Sequence, residues 1–149
     1  MIVAKLGDHP IDLLNPADQE DAKFQAGWAM FYATGNLATS ALLTVLEPGG
    51  RIPTHSDSAE EIILVLEGTI EAQVGDEKTT LEAGMMGVNP ALELHSMVNV
   101  GTTTSRVVGF MASNAIVSEF PEAAIMPLNS KVIGTPPPEA AAQLGYKKP

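Results

Sequence analysis

Two segments constrain this chain most: Gly49-x5-His55-x-Asp57-x3-Glu61-x6-Gly68 and Gly84-x5-Pro90-x4-His95-x3-Asn99. Each opens at a glycine and carries imidazole or carboxylate side chains into residues that alternate with a period of two, the period of an extended strand. Counted from His55, residues Asp57, Ala59 and Glu61 fall at steps of two. One continuous strand would therefore project His55, Asp57 and Glu61 from a single face and turn Glu60 to the other. His95 arrives on a second strand-like run, residues 94–100, whose start is set by the turn residues Gly84, Asn89 and Pro90. Two strands of one barrel converging in this way can hold a single ion. Two imidazoles with one or two carboxylates suit Fe(II), Mn(II), Ni(II) or Zn(II), with coordination positions left open.

The flanking sequence reads as more of the same architecture. Residues 28–33 and 38–46 are strand-like and separated by Thr34-Gly35-Asn36, a first hairpin. Residues 61–66 and 69–74 flank Glu67-Gly68, and Gly75-Asp76-Glu77-Lys78 closes the next hairpin before 79–81. Val88, 95–100 and 104–111 continue the pattern, with Gly101-Thr102 as another turn. Many short strands with regular turn signals predict an all-β sandwich or barrel, and a double-sheet jelly roll fits best. Residues 16–23 are expected to form a brief helix capped by Asn15, within an amino-terminal arm of residues 1–27. After residues 116–120, Pro121, Pro127 and Pro136 to Pro138 break the sheet, and Pro138 is placed near the start of a short final helix in a carboxy-terminal extension, 121–149. A chain of 149 residues is the size of one domain. The expectation is a single barrel, about 28–120, with terminal extensions.

The two segments resemble the two motifs of the cupin superfamily, G-x5-H-x-H-x3,4-E-x6-G and G-x5-P-x-G-x2-H-x3-N. Two positions depart: Asp57 stands where the family usually has a second histidine, and Leu92 where it usually has glycine. The resemblance covers roughly residues 37–112. It implies a double-stranded β-helix with a divalent metal (Fe, Mn, Ni or Zn) held by His55, Asp57, Glu61 and His95. It also implies a metal-dependent enzyme, a class that spans dioxygenases, isomerases, decarboxylases and lyases, with a homodimer as the common assembly.

Glu61 precedes Ile62-Ile63-Leu64-Val65-Leu66, so its carboxylate would enter an apolar interior, where it must neutralise or find a cation. A salt bridge to Arg51 or Arg106 is the bland alternative to a metal. For Asp57 two arrangements are open. Either two histidines and two carboxylates all ligate, or His55, Glu61 and His95 form a facial triad while Asp57 holds a water or orients a ligand. Asp57, Glu60 and Arg51 are the candidate catalytic residues. Arg51 shares the parity of His55 and is expected at the barrel mouth, where a guanidinium would recruit a carboxylate or enolate. Met97 shares the parity of His95 and is expected in an apolar pocket wall, whereas Asn99 is expected to hydrogen-bond a turn. Gly49, Gly68 and Gly84 are assigned to turns of positive φ.

Eighteen acidic against eight basic residues give a net charge of −10, which repels nucleic-acid phosphates and anionic lipid, and no basic cluster exceeds Lys147-Lys148. Cysteine is absent, so no thiol nucleophile or disulfide framework exists. The start, MIVAKLGDHP, lacks a signal-peptide hydrophobic region, and no run is long enough to span a bilayer. These features lead to a cytoplasmic expectation and a small-molecule substrate or ligand. The leading functional reading is an Fe(II)-type dioxygenase. Metal-dependent isomerase, lyase or decarboxylase chemistry, a non-catalytic binding module and a protein with a vestigial motif are its competitors. An exposed edge at residues 28–33 is the argument for pairing of two copies.

Overall fold

The computed structural model describes residues 1–147, which form two antiparallel sheets and one short helix. The strands are β1 Asp12–Pro16, β2 Phe24–Met30, β3 Ser40–Leu46, β4 Arg51–Asp57, β5 Glu61–Glu67, β6 Thr69–Val74, β7 Glu77–Glu82, β8 Met86–Asn89, β9 His95–Asn99, β10 Ser105–Met111, β11 Val117–Glu119, β12 Ile125–Met126 and β13 Val132–Gly134, followed by helix α1 Pro138–Gln143. One sheet runs β12-β1-β2-β3-β10-β5-β8 and the other β13-β11-β4-β9-β6-β7. This is the double-sheet jelly roll expected from the spacing of turns. Among the described residues no helix is long and apolar enough to cross a membrane.

Burial follows the pleat. In β5 the side chains of Glu61, Ile63 and Val65 are buried, while Ile62 and Leu66 are exposed. Opposing sheets contribute Leu14, Phe24, Leu46, Val107 and Ile52, Ile70, Met97 to a common core, the dry layer that holds a sandwich together. Gly68, where the chain passes from β5 in one sheet to β6 in the other, has φ 81°. A Cβ there would overlap Ser105, so both conformation and space demand glycine.

The amino-terminal segment departs from expectation. The helix proposed over residues 16–23 does not form: β1 runs through Asn15 to Pro16 and turns follow. Its backbone pairs with β2, Leu14 opposite Phe24, and with β12, Pro16 opposite Ile125. Leu14, Phe24 and Ile125 are all buried, and that burial outweighs a local helix signal. The arm is thus part of the sheet, which begins well before residue 28. Strand β1 pairs with β2 only at Phe24 to Ala26, but beyond it the Tyr32 amide donates to the Asn114 carbonyl at 2.9 Å and the Trp28 carbonyl accepts from the Tyr146 hydroxyl, so the edge at residues 28–33 that argued for pairing of copies is covered in part by the chain itself. The link between β2 and β3 contains a 3-10 turn, Tyr32–Thr34, closed by the Phe31 amide donating to Thr34 Oγ1 at 3.0 Å. The final helix starts at Pro138 as the proline run suggested.

Leu92, where the related motif carries glycine, has φ 65° and donates its backbone N–H to the Asp57 carbonyl at 2.9 Å. The loop therefore keeps a left-handed backbone with a side chain that disfavours it. Because Leu92 is 74% exposed, little packing offsets the strain. Leu92→Gly is expected to stabilise the fold by about 0.5–1 kcal/mol, the net of relieved αL strain and glycine's greater entropy loss. Urea denaturation midpoints would show it, and a destabilised variant would mean that the leucine side chain makes contacts of more worth than the strain.

Candidate metal centre

His55 and His95 face each other across adjacent strands, paired in register between β4 and β9, with ring centroids 4.2 Å apart. Each ring is oriented in the same way. His55 Nδ1 lies 2.9 Å from the Pro53 carbonyl and His95 Nδ1 2.9 Å from the Glu93 carbonyl. A carbonyl only accepts, so each Nδ1 carries the hydrogen and each neutral ring directs its Nε2 lone pair inward. Phe120 stacks on His55 at 4.8 Å with an interplanar angle of 12° and holds its plane.

Asp57 places Oδ2 3.3 Å from His95 Nε2 and 3.8 Å from His55 Nε2, while Oδ1 accepts a hydrogen bond from the Ser118 hydroxyl. Ligand atoms of His55, Asp57 and His95 all lie within 4.8 Å of one another, and all three residues are buried. His95 Nε2 is itself buried without a hydrogen-bond partner of proper geometry. A lone pair held against a carboxylate oxygen calls for a proton or a metal cation between them. The donor set and this orphaned nitrogen fit a divalent ion, for which His55, Asp57 and His95 would be the holders and Glu61 the neighbouring fourth candidate.

Glu61 comes from the other sheet. Its Oε2 is 3.8 Å from His95 Nε2 and accepts a hydrogen bond of 2.8 Å from Asn89 Nδ2. The expectation that His55, Asp57 and Glu61 project from one continuous strand is corrected here: β4 ends at Asp57, the chain turns, and β5 starts at Glu61 in the facing sheet. Their convergence is a property of the sandwich. Neither arginine meets Glu61, since Arg106 lies 3.5 Å from Glu67 and, among the described residues, Arg51 forms no ion pair. Space for the carboxylate comes from Gly109 on β10, where a Cβ would overlap Glu61 Oε1.

Electrostatics reflect this crowding. Burial, followed by the neighbouring Asp57, pushes the Glu61 carboxyl up to about 7. Burial and then His95 push His55 down to about 4. For Asp57 burial is the largest influence and acts upward, but His95, His55 and the Ser118 hydroxyl outweigh it and hold the carboxyl below its usual range. For His95 burial acts downward, yet Asp57 and the Glu93 carbonyl outweigh it and raise the imidazole.

His55, Asp57 and Glu61 line a cavity of about 580 Å³, whereas His95 is not among its lining residues. Met97 lines it as its parity suggests; Arg51 and Glu60 do not. A bulge between Ile52 and His55 explains Arg51, because it shifts the pleat so that Ile52, His55 and Asp57 point inward and Arg51 stays outside. Glu60 is exposed beyond the end of β4. The carboxy-terminal extension completes the cavity. Trp28 Nε1 donates to the Gly134 carbonyl at 3.3 Å, the Tyr32 hydroxyl to Pro136 at 2.6 Å and the Tyr146 hydroxyl to the Trp28 carbonyl at 2.9 Å. Asn99 does staple a turn, donating to the Leu46 and Thr103 carbonyls at 2.8 Å each.

Four residues of the site escaped sequence reasoning as site residues: Asn89, Gly109, Ser118 and Phe120. An isolated glycine inside the strand pattern at 109 was a usable signal of close approach. Ser118 and Phe120 carried none, because their place depends on β11 pairing with β4, Ser118 opposite Asp57.

Inward histidines and carboxylates on the wall of a two-sheet jelly roll define a metal-site class of β-barrel protein. A family model described as cupin domain matches residues 42–111. Residues 42–111 are thus matched as a cupin domain, and the strands on either side of them continue its two sheets. Among solved structures the chain is similar to an oxalate oxidase in complex with the substrate analogue glycolate (TM-score 0.62, 22% identity, 76% of this chain and 61% of that one). It is also similar to KdgF from Halomonas sp. (0.57, 18%, 73% and 91%) and to the conserved protein SPY1581 of unknown function from Streptococcus pyogenes (0.52, 17%, 63% and 77%). The chain thus spans less than two thirds of that oxalate oxidase. No curated protein sequence matches the chain.

Two outcomes test the site. His95→Ala is expected to abolish co-purifying or reconstituted divalent metal, read by elemental analysis, and Asp57→Ala to do the same; metal retained in Asp57→Ala would place that carboxylate outside the coordination sphere. Gly109→Ala, which displaces Glu61 without removing a ligand, is expected to weaken metal affinity roughly ten- to a hundredfold, as loss of supporting geometry does elsewhere.

Proposed function

We propose that this protein is a metal-dependent enzyme acting on a small molecule bound in the cavity, with Fe(II)-type dioxygenase chemistry as the leading reading. The observation that carries it is the cluster of His55, His95 and Asp57, with ligand atoms mutually within 4.8 Å, of which His55 and Asp57 reach the wall of a largely apolar cavity. Two histidines and a carboxylate form the donor set suited to a redox-active Fe(II) with free positions, and such an ion would supply oxygen activation. The chain's own part is to fix both imidazole tautomers through Pro53 and Glu93, hold Asp57 through Ser118, and exclude water with the carboxy-terminal wall. Similarity to an oxalate oxidase supports an oxygen-using reading at the level of fold.

A second carboxylate favours the competing reading. If Glu61 also ligates, fewer positions remain for substrate together with oxygen, which suits isomerase, lyase or decarboxylase chemistry. Oxygen-electrode assays of Fe(II)-loaded protein separate the two. Dioxygenase action predicts stoichiometric oxygen uptake with an enolisable or catecholic compound, whereas equal turnover under anaerobic conditions would overturn it. Thermal stabilisation by the compound with no turnover under any metal would leave a binding module.

We also propose a homodimer, now on different grounds. The cross-strand register sets Val88 opposite Ile62 and Ile62 opposite Phe110, on the outer face of β8, β5 and β10. These side chains are 52%, 37% and 45% exposed, an apolar row at one end of the larger sheet that a second copy would cover. Phe110→Lys is expected to convert a dimer to a monomer in light scattering, and a monomeric wild type would rule the assembly out.

A further inference from the structure

The cavity wall narrows the class of molecule that the site takes, an inference that rests on the metal-dependent reading above. At about 580 Å³ the cavity is the size of an ordinary small-molecule pocket. Trp28, Ile52, Met97, Val107, Ile116 and Phe120 give it an apolar lining. The carboxylates that face it are Asp12, Asp57 and Glu61, and among the described residues no lysine or arginine lines it. The bulge in β4 turns Arg51 away, and Arg106 lies against Glu67.

A bound divalent ion does not restore positive charge. Asp57 would ligate it and Glu61, 3.8 Å from His95 Nε2, would stand beside it whether or not it ligates, so the two carboxylates together would balance its charge. An anionic molecule entering this space would exchange hydration for apolar wall and meet carboxylates with no cation in reach. A hydroxyl group, in contrast, finds the Thr44 hydroxyl on the same wall, which no hydrogen bond among the described residues occupies, and the Ser118 oxygen as an acceptor, its hydrogen being held by Asp57.

We infer that the site takes an uncharged, largely apolar molecule with a single oxygen-bearing end, of the phenol or alcohol class, and discriminates against carboxylates. The apolar body lies against Trp28 and Ile116, and the oxygen end points to the His55 and Asp57 side of the cavity. This overturns the role expected for Arg51 as a recruiter of anions.

The experiment is calorimetric titration at neutral pH of two probes with the same body, 2-naphthol and 2-naphthoate, into Mn(II)-loaded and into EDTA-treated protein, with metal content measured in parallel. The expected result is saturable binding of 2-naphthol in both forms, at least roughly tenfold tighter than 2-naphthoate. Asp12→Lys, at an exposed position on the rim, is expected to narrow that ratio about two- to fivefold by adding the missing cation. Ala26→Phe, which fills the cavity away from the ligand cluster, is expected to abolish binding of 2-naphthol while metal content stays unchanged. Equal or tighter binding of 2-naphthoate, no binding of 2-naphthol, or full affinity in Ala26→Phe would each overturn the inference. Protein that takes up no metal but still prefers 2-naphthol would overturn the metal reading alone.

Discussion

Asp57 and Glu61 bring two carboxylates into a buried space that they share with two imidazoles and, among the described residues, with no arginine or lysine, and the surrounding structure is arranged around that demand. Each group has a dedicated support: Ser118 for Asp57, Asn89 for Glu61, the Pro53 and Glu93 carbonyls for the two rings. These supports are satisfied while His95 Nε2 is not, so the arrangement is complete in orientation and incomplete in charge. That imbalance is met by a proton or a cation between His95 Nε2 and Asp57 Oδ2.

The site also depends on the spacing of the two sheets. Asp57 ends a strand of one sheet and Glu61 begins a strand of the other, so a three-residue turn converts chain proximity into two opposed walls. Gly109 lets the Glu61 wall approach, and Phe120 fixes the His55 ring from the opposite direction. The carboxy-terminal extension then encloses what would otherwise be an open barrel end, through hydrogen bonds that tie residues 134–146 to Trp28 and Tyr32. An apolar cavity beside a cluster of buried imidazoles and carboxylates is a different recognition surface from one built on an exposed guanidinium, and the enclosure makes the difference.

Leu92 shows how far backbone geometry persists when side-chain identity changes. The loop before His95 keeps a left-handed residue and its hydrogen bond to Asp57, although the residue is no longer glycine. The Asp57 carbonyl anchors that loop while its carboxylate faces the imidazoles, so one residue couples the second motif to the first. Asp57 is therefore embedded in the local architecture as well as in the candidate ligand set.

From residues alone, the strand period and the turn glycines determined the jelly roll, because alternation and φ > 0 turns are local properties that a linear chain carries with it; the four residues that meet in the site were named by the resemblance of the two segments to known motifs, whereas the single strand read for His55, Asp57 and Glu61 was not what joins them. The same local reasoning misplaced Arg51, since a bulge reverses parity without leaving a mark in composition, and it read residues 16–23 as a helix because one partner of β1, β12, lies far along the chain and its pairing with β2 makes 17–23 the connection between two strands. The supports of the site and the sign and polarity of the cavity were decided only by tertiary structure. They arise where strands remote in sequence pair, as β11 does with β4, and where a carboxy-terminal segment packs over Trp28; no short-range pattern encodes such contacts.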